Sequence, residues 1–230
     1  MEVLTLSSFH LKVVLDFLSD LALNNERAWF AEHKADYEKA RLVFEGFVDE
    51  VILRLSAFQD GLAGLQAKEC IMRIYRDMRF SRDKTPYNTW MTSVIAPGGR
   101  KSGRFGYGLR LLPGNTMAGG GLWEAKSEQV AAFRRAVDRD PKAILALTRS
   151  SQFLRTFGSL QGEKLSKAPQ GYASNHPAIE ILKLKQVHVV RAFPDQAVCA
   201  PDFTDALVET FRVMKPFLDY LDRACLMPAP

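Results

Sequence analysis

Tyr107-Gly-Leu-Arg-Leu-Leu-Pro-Gly-Asn-Thr-Met-Ala-Gly-Gly-Gly-Leu-Trp123 is the stretch that settles the fold class. Tyr107, Leu109 and Leu111 alternate with Gly108 and Arg110, which is the period of a strand. Pro113-Gly-Asn115 is a turn, and Thr116 to Trp123 returns as a second, glycine-rich strand. Upstream, Trp90 to Ala96 reads as another strand, closed by the turn-forming run Pro97-Gly-Gly-Arg-Lys-Ser-Gly103. Cys70, Met72 and Ile74 alternate with Arg73 and Tyr75, so a strand is expected there too. Residues 76–88 hold no regular period and include Pro86, the mark of a loop. Consecutive strands with short links predict an antiparallel meander.

Helical periods flank this block. Ser8 is placed to cap a first helix whose Leu11, Val14, Leu15, Leu18 and Leu21 share one face. Asn24 and Asn25 offer a break and a new N-cap. Glu26 then falls in a first turn, where a carboxylate suits the helix dipole. From Trp29 through His33, Tyr37, Ala40, Phe44, Phe47, Val48, Val51 and Leu55 the helical period persists. That is long for one straight helix, so a kink or break is expected near residues 38–44. The aromatics along it are expected in the core, Trp29 largely buried. Downstream, helices are expected over Gln129–Val137, Pro141–Thr148 and from Asn175-His-Pro177 to Leu184, with an added strand at Gln186–Val190. A last helix starts at Asp202 or Thr204, with Leu207, Phe211, Met214, Leu218 and Leu221 on one seam and a kink at Pro216. The fold class is α+β: one antiparallel meander sheet packed with N- and C-terminal helices, residues 1–230 forming a single domain.

Composition narrows the class. The 230 residues are 47% hydrophobic and 25% charged, ordinary for a soluble globular protein. No run approaches a membrane span, and the acidic Glu2, Asp16 and Asp20 argue against a signal peptide. Cys70, Cys199 and Cys225 lack paired spacing and suit reduced thiols in the cytoplasm, with Cys70 read as a core residue. His10, His33, His176 and His188 have no metal-ligand spacing, so no metal site is expected, and no cofactor can be named. His176 beside Pro177 is read as a capping residue. The glycines 119–121 suit either a bend or close approach of a ligand or another backbone, the bend being favoured.

Charge is concentrated. From Lys68 to Arg110 ten Lys or Arg face three acids, a net of +7, whereas the whole chain is only +5. At its centre lies Arg73-Ile-Tyr-Arg-Asp-Met-Arg-Phe-Ser-Arg-Asp-Lys-Thr-Pro-Tyr87. Four arginines so close repel one another, and Asp77 and Asp83 are the acids within the run. Arginine's planar fork suits phosphate and carboxylate. The leading expectation is a binding or catalytic cleft for a phosphorylated or carboxylated small ligand. Arg73, Arg76, Arg79 and Lys84 would clamp the anion, and Asp77 would orient an arginine or act as base. Asn25 and Tyr75 would line the cleft. A nucleic-acid-binding protein using the 68–110 basic face, extended by Arg100, Lys101, Arg104 and Arg110, ranks second. An internal ion network of purely structural arginines is the third reading. Composition and motifs assign no reaction, no catalytic residue and no membrane partner.

Asn24-Asn-Glu-Arg-Ala-Trp-Phe30, Tyr37, the Arg73–Tyr87 run, Gly119–Gly121, Pro169-Gln-Gly-Tyr172 and His176-Pro177 stand in an order that resembles one group. These are the uncharacterised, mostly bacterial proteins grouped as domain of unknown function 2461. The resemblance covers about residues 9 to 224. It implies a single domain and a cytosolic setting, and carries no activity. Relatives often read K-T-P-Y-K where this chain has Asn88 after Tyr87.

Overall fold

A computed structural model describes residues 11–77, 79, 82–124 and 126–226. Ser8, expected to cap the first helix, lies outside them. Helix α1 (Leu11–Leu23) buries Leu11, Val14, Leu15, Leu18 and Leu21, as its spacing requires, and adds Phe17. The Asn24 amide caps its end by donating to the Asp20 carbonyl at 2.9 Å. The next N-cap is Glu26 rather than an asparagine, because Asn25 is engaged elsewhere.

Helix α2 (Arg27–Glu32) is separated from α3 (Lys34–Leu55) at His33, and α3 then runs without a break. The interruption expected at 38–44 thus falls earlier. The backbone leaves the helical region at His33 (φ −102°, ψ 22°), where the Trp29 carbonyl accepts both the His33 backbone N–H at 3.0 Å and the His33 ring Nδ1 at 2.9 Å. The imidazole also stacks on the Trp29 indole at 4.1 Å. Trp29 is therefore half-buried, and Phe30, only 4% exposed, takes the core position.

The expected strand at Cys70–Ile74 is not one. Ala67–Cys70 forms a one-turn helix, α4, whose Gln66 N–H donates to Glu69 Oε2 at 3.0 Å and whose Ala67 N–H donates to Asp49 at 2.7 Å. Two isolated antiparallel bridges follow, Ile71 with Ser93 and Tyr75 with Tyr87. Met72 is 53% exposed while Cys70 and Ile74 are buried, so the apolar alternation breaks at Met72.

Four strands form one antiparallel sheet in the order β1 (Met91–Ile95), β2 (Tyr107–Leu111), β3 (Thr116–Leu122), β4 (Val187–Phe193). One face, carrying Met91, Ile95, Tyr107, Leu109, Ala118, Val187 and Val189, is buried. Against β3 packs α10 (Phe203–Cys225), whose Leu207, Phe211, Met214, Leu218 and Leu221 form the expected seam. Pro216, where a kink was expected, lies inside that helix, which continues to Cys225.

The glycines of β3 answer to this packing. A Cβ on Gly120 would sit 2.6 Å from Met214 Sδ and 2.9 Å from the Gly106 carbonyl oxygen. Gly121 has φ +131° and lies against the Val187 carbonyl. Here the close approach is by a helix and a neighbouring strand.

Between β3 and β4 come α5 (Ser127–Arg139), α6 (Pro141–Thr148), α7 (Ser151–Phe157) and a short α8 (Ile179–Leu182), and α9 (Asp195–Val198) precedes α10. The helix expected from Asn175 shrinks to α8. The α8 N-cap is Ala178 rather than His176, whose Nδ1 accepts the Ala178 N–H at 3.1 Å. The buried residues of all these elements form one contiguous core. No helix of the described residues is long and apolar enough to cross a membrane.

Candidate functional site

The arginine-rich segment is braced at its two ends. Asn25, just before α2, closes a pair of hydrogen bonds on the Tyr87 backbone: its amide donates to the Tyr87 carbonyl at 2.9 Å and its Oδ1 accepts the Tyr87 N–H at 3.1 Å. Such double pairing fixes both backbone groups of one residue, and the side-chain amide of Asn supplies the donor and the acceptor side by side. Tyr87 stacks on Phe30 of α2 with ring centroids 4.0 Å apart. The Tyr75–Tyr87 bridge then hangs the other limb on this anchor, through Arg76 N–H to the Pro86 carbonyl at 3.0 Å and Asn88 N–H to the Ile74 carbonyl at 2.8 Å. Asn88 thus contributes its backbone to the bridge. Tyr75 lies over Phe30 and Tyr87, at 6.0 and 5.5 Å, and remains 50% exposed.

Between the limbs the charges sort into separate pairs. Asp83 is the hub of a turn: one oxygen accepts the Thr85 N–H and the Thr85 hydroxyl, each at 2.9 Å. Its other oxygen accepts from Arg76 Nη1, which also donates to the Thr85 hydroxyl. The Thr85 N–H, Arg76 and the Thr85 hydroxyl together hold the Asp83 carboxyl down at about 2. Asp77 pairs with Arg79 through Nε at 3.0 Å and Nη2 at 2.6 Å. The Arg79 side chain first, then its backbone N–H, lower the Asp77 carboxyl, with Arg73 adding to the effect from a distance. Both carboxyls are held below their usual range, and that of Asp77 is paired with Arg79.

Two of the arginines expected to converge, Arg76 and Arg79, are thus each engaged with an acid of the run. The Arg76 side chain is 21% exposed and that of Arg79 78%. Arg73 is exposed, and its guanidinium makes no hydrogen bond among the described residues. Lys84 is exposed between Asp83 and Thr85. Thr85 and Phe30 were not foreseen as parts of this site. The Asp83-Lys-Thr85-Pro86 spacing is the signal for the first, since Asp accepting an N–H two residues on is a standard turn device.

Along the wider basic segment, Arg104 is neutralised by Asp222 at 2.7 Å, and Arg100 donates to the carbonyls of Lys68 and Glu69. Arg110 lies over the Trp90 ring at 5.3 Å. Cys70 is buried, and burial pushes its thiol up to about 11, which is the wrong direction for a nucleophile. Among the described residues no group of three or more His, Cys, Asp and Glu is placed to hold a metal ion.

The profile of the family described as "Conserved hypothetical protein (DUF2461)" matches residues 13–220. The chain belongs to this family. All seven residues expected at the ligand site, from Asn25 to Lys84, fall inside the matched span of this DUF2461 protein. No curated protein matches the chain, and no solved structure does.

Proposed function

We propose that the Arg73–Tyr87 segment binds a small molecule bearing a phosphate or carboxylate group. One observation carries the reading. Residues 73–88 hold five cations and two acids, and both acids are already paired within the segment, Asp83 with Arg76 and Asp77 with Arg79. The formal charge of the segment is therefore +3, carried on a frame braced at Asn25 and Tyr87. Like charges held together by a rigid frame favour an anionic partner, because binding it removes their mutual repulsion. Arg73, Arg79 and Lys84 supply the charge. Arg76 and Asp83 hold the turn, Asp77 aims Arg79, and Asn25 fixes the anchor. Tyr75 offers a hydroxyl and a ring face beside the charges.

The test is thermal. Sulfate and inorganic phosphate should raise the melting midpoint of the wild type above that in sodium chloride of equal ionic strength, by mass action on the folded state. Sulfate also stabilises proteins generally, so the comparison that decides is with Arg73→Gln/Lys84→Gln, in which the excess should vanish. Equal shifts in both proteins would sink the reading.

A further inference from the structure

A second concavity lies between α6, α7 and α8 and shares no residue with the arginine segment. Its volume is about 340 Å³, within the usual range for small-molecule pockets. The walls are aliphatic, including Leu145, Leu154, Leu160, Ile179, Ile181 and Leu184, with no aromatic ring among the lining residues. A flat base or ring would find nothing to stack on, while an alkyl body would meet matching surface along its length. Leu154, 47% exposed, is also among the lining residues.

The polar side is cationic. Arg149, which follows α6, lines the groove, and its guanidinium makes no hydrogen bond among the described residues. Lys164, also in the lining, meets Glu180 at 3.0 Å, and Lys183 meets Glu180 at 2.9 Å. Lys183 and then Lys164 hold the Glu180 carboxyl below its usual range, so it stays ionised. Two cations, Arg149 and Lys164, line the groove against one acid, Glu180, which leaves the lining net positive. An aliphatic lining with a net positive charge is complementary to an apolar body with a negative head.

We propose that this groove binds an amphipathic anion, an aliphatic chain with a carboxylate head, the chain lying along the leucine and isoleucine walls and the head at Arg149. The proposal does not rest on the reading of the arginine segment, and either can fail alone. The experiment titrates the full chain with butanoate, hexanoate, octanoate and decanoate, and with octan-1-ol as the neutral counterpart, following amide and methyl resonances. Affinity should tighten by about fourfold for each added methylene that enters the groove. It should level off once the tail outgrows the groove, with shifts confined to Leu160, Ile179 and their neighbours. Arg149→Gln should erase the preference for octanoate over octanol while leaving octanol binding intact. Leu154→Asn, at an exposed position that does not endanger folding, should weaken both ligands alike. Flat chain-length dependence, shifts centred elsewhere, or an unchanged octanoate preference in Arg149→Gln would each overturn it.

Discussion

Arg76 donates to Asp83 and Thr85 from a mostly buried position, whereas Arg79 meets Asp77 largely in solvent. The same substitution should therefore have different effects three residues apart. Arg76→Gln strands the turn around Asp83 and should lower the melting midpoint. Arg79→Gln removes an exposed pair and should melt like the wild type, because solvent already screens such pairs. Equal losses at both positions would show that the segment is one buried network. Asp83 supplies a pH test. Its folded value of about 2 lies below the ordinary unfolded value of about 3.9. A depressed folded value means stability that is present above the unfolded value and lost as pH falls toward the folded one. The advantage of the wild type over Asp83→Asn should be constant above about pH 5 and shrink between about pH 4 and 2. Acid titration of the two melting points checks this. A gap that widens with acid would assign Asp83 the wrong partners.

At the scale of elements, what could be read from the chain followed from how far a pattern extends. Helix α1 repeats its apolar spacing over about three turns, and β1 and β2 alternate cleanly, so these were legible. One turn of α4 has no period to read, and Met72 mimics a strand position while facing solvent. Helix α7 was missed although Ser150 caps it through the Phe153 N–H and Gly158 at φ +71° ends it. Its seven residues carry the punctuation but too little periodicity. In α2, Trp29 and Phe30 were both placed in the core, and Phe30 is buried while Trp29 is only half-buried. That difference is measurable. Phe30→Ala empties a buried stack under Tyr87 and should cost about 3–5 kcal/mol in urea unfolding. Trp29→Ala should cost clearly less, and the reverse order would restore the first expectation. On β3, Gly120→Ala puts a methyl into Met214 and the Gly106 backbone and should cost about 1–3 kcal/mol. Shortening Met214 should recover part of this, since the backbone contact remains.

Charge is a property of the whole molecule, and it bears on the polyanion reading. The segment from Lys68 to Arg110 carries +7 and the remainder −2, so a polyanion would meet one basic region. Composition made that region visible. Which cations are already matched was not legible, because Arg104 finds Asp222 from 118 residues away and Arg76 chooses Asp83 over the nearer Asp77. Those pairings are made by folding and leave no trace in local spacing. They also reduce the number of phosphates the region can contact without first breaking a pair. Counterion release makes the slope of log affinity against log salt proportional to the number of phosphates neutralised. Oligonucleotides should therefore bind weakly, without sequence preference, and with a slope well short of the ten cations in the segment. Arg104→Gln should hardly change that slope, because the cation it removes is already matched by Asp222, while Arg73→Gln should reduce it. Fluorescence anisotropy across a salt series separates these outcomes. Sequence-selective binding that survives physiological salt would show that the matched arginines release their acids to nucleic acid, and would promote the polyanion reading over the small-anion one.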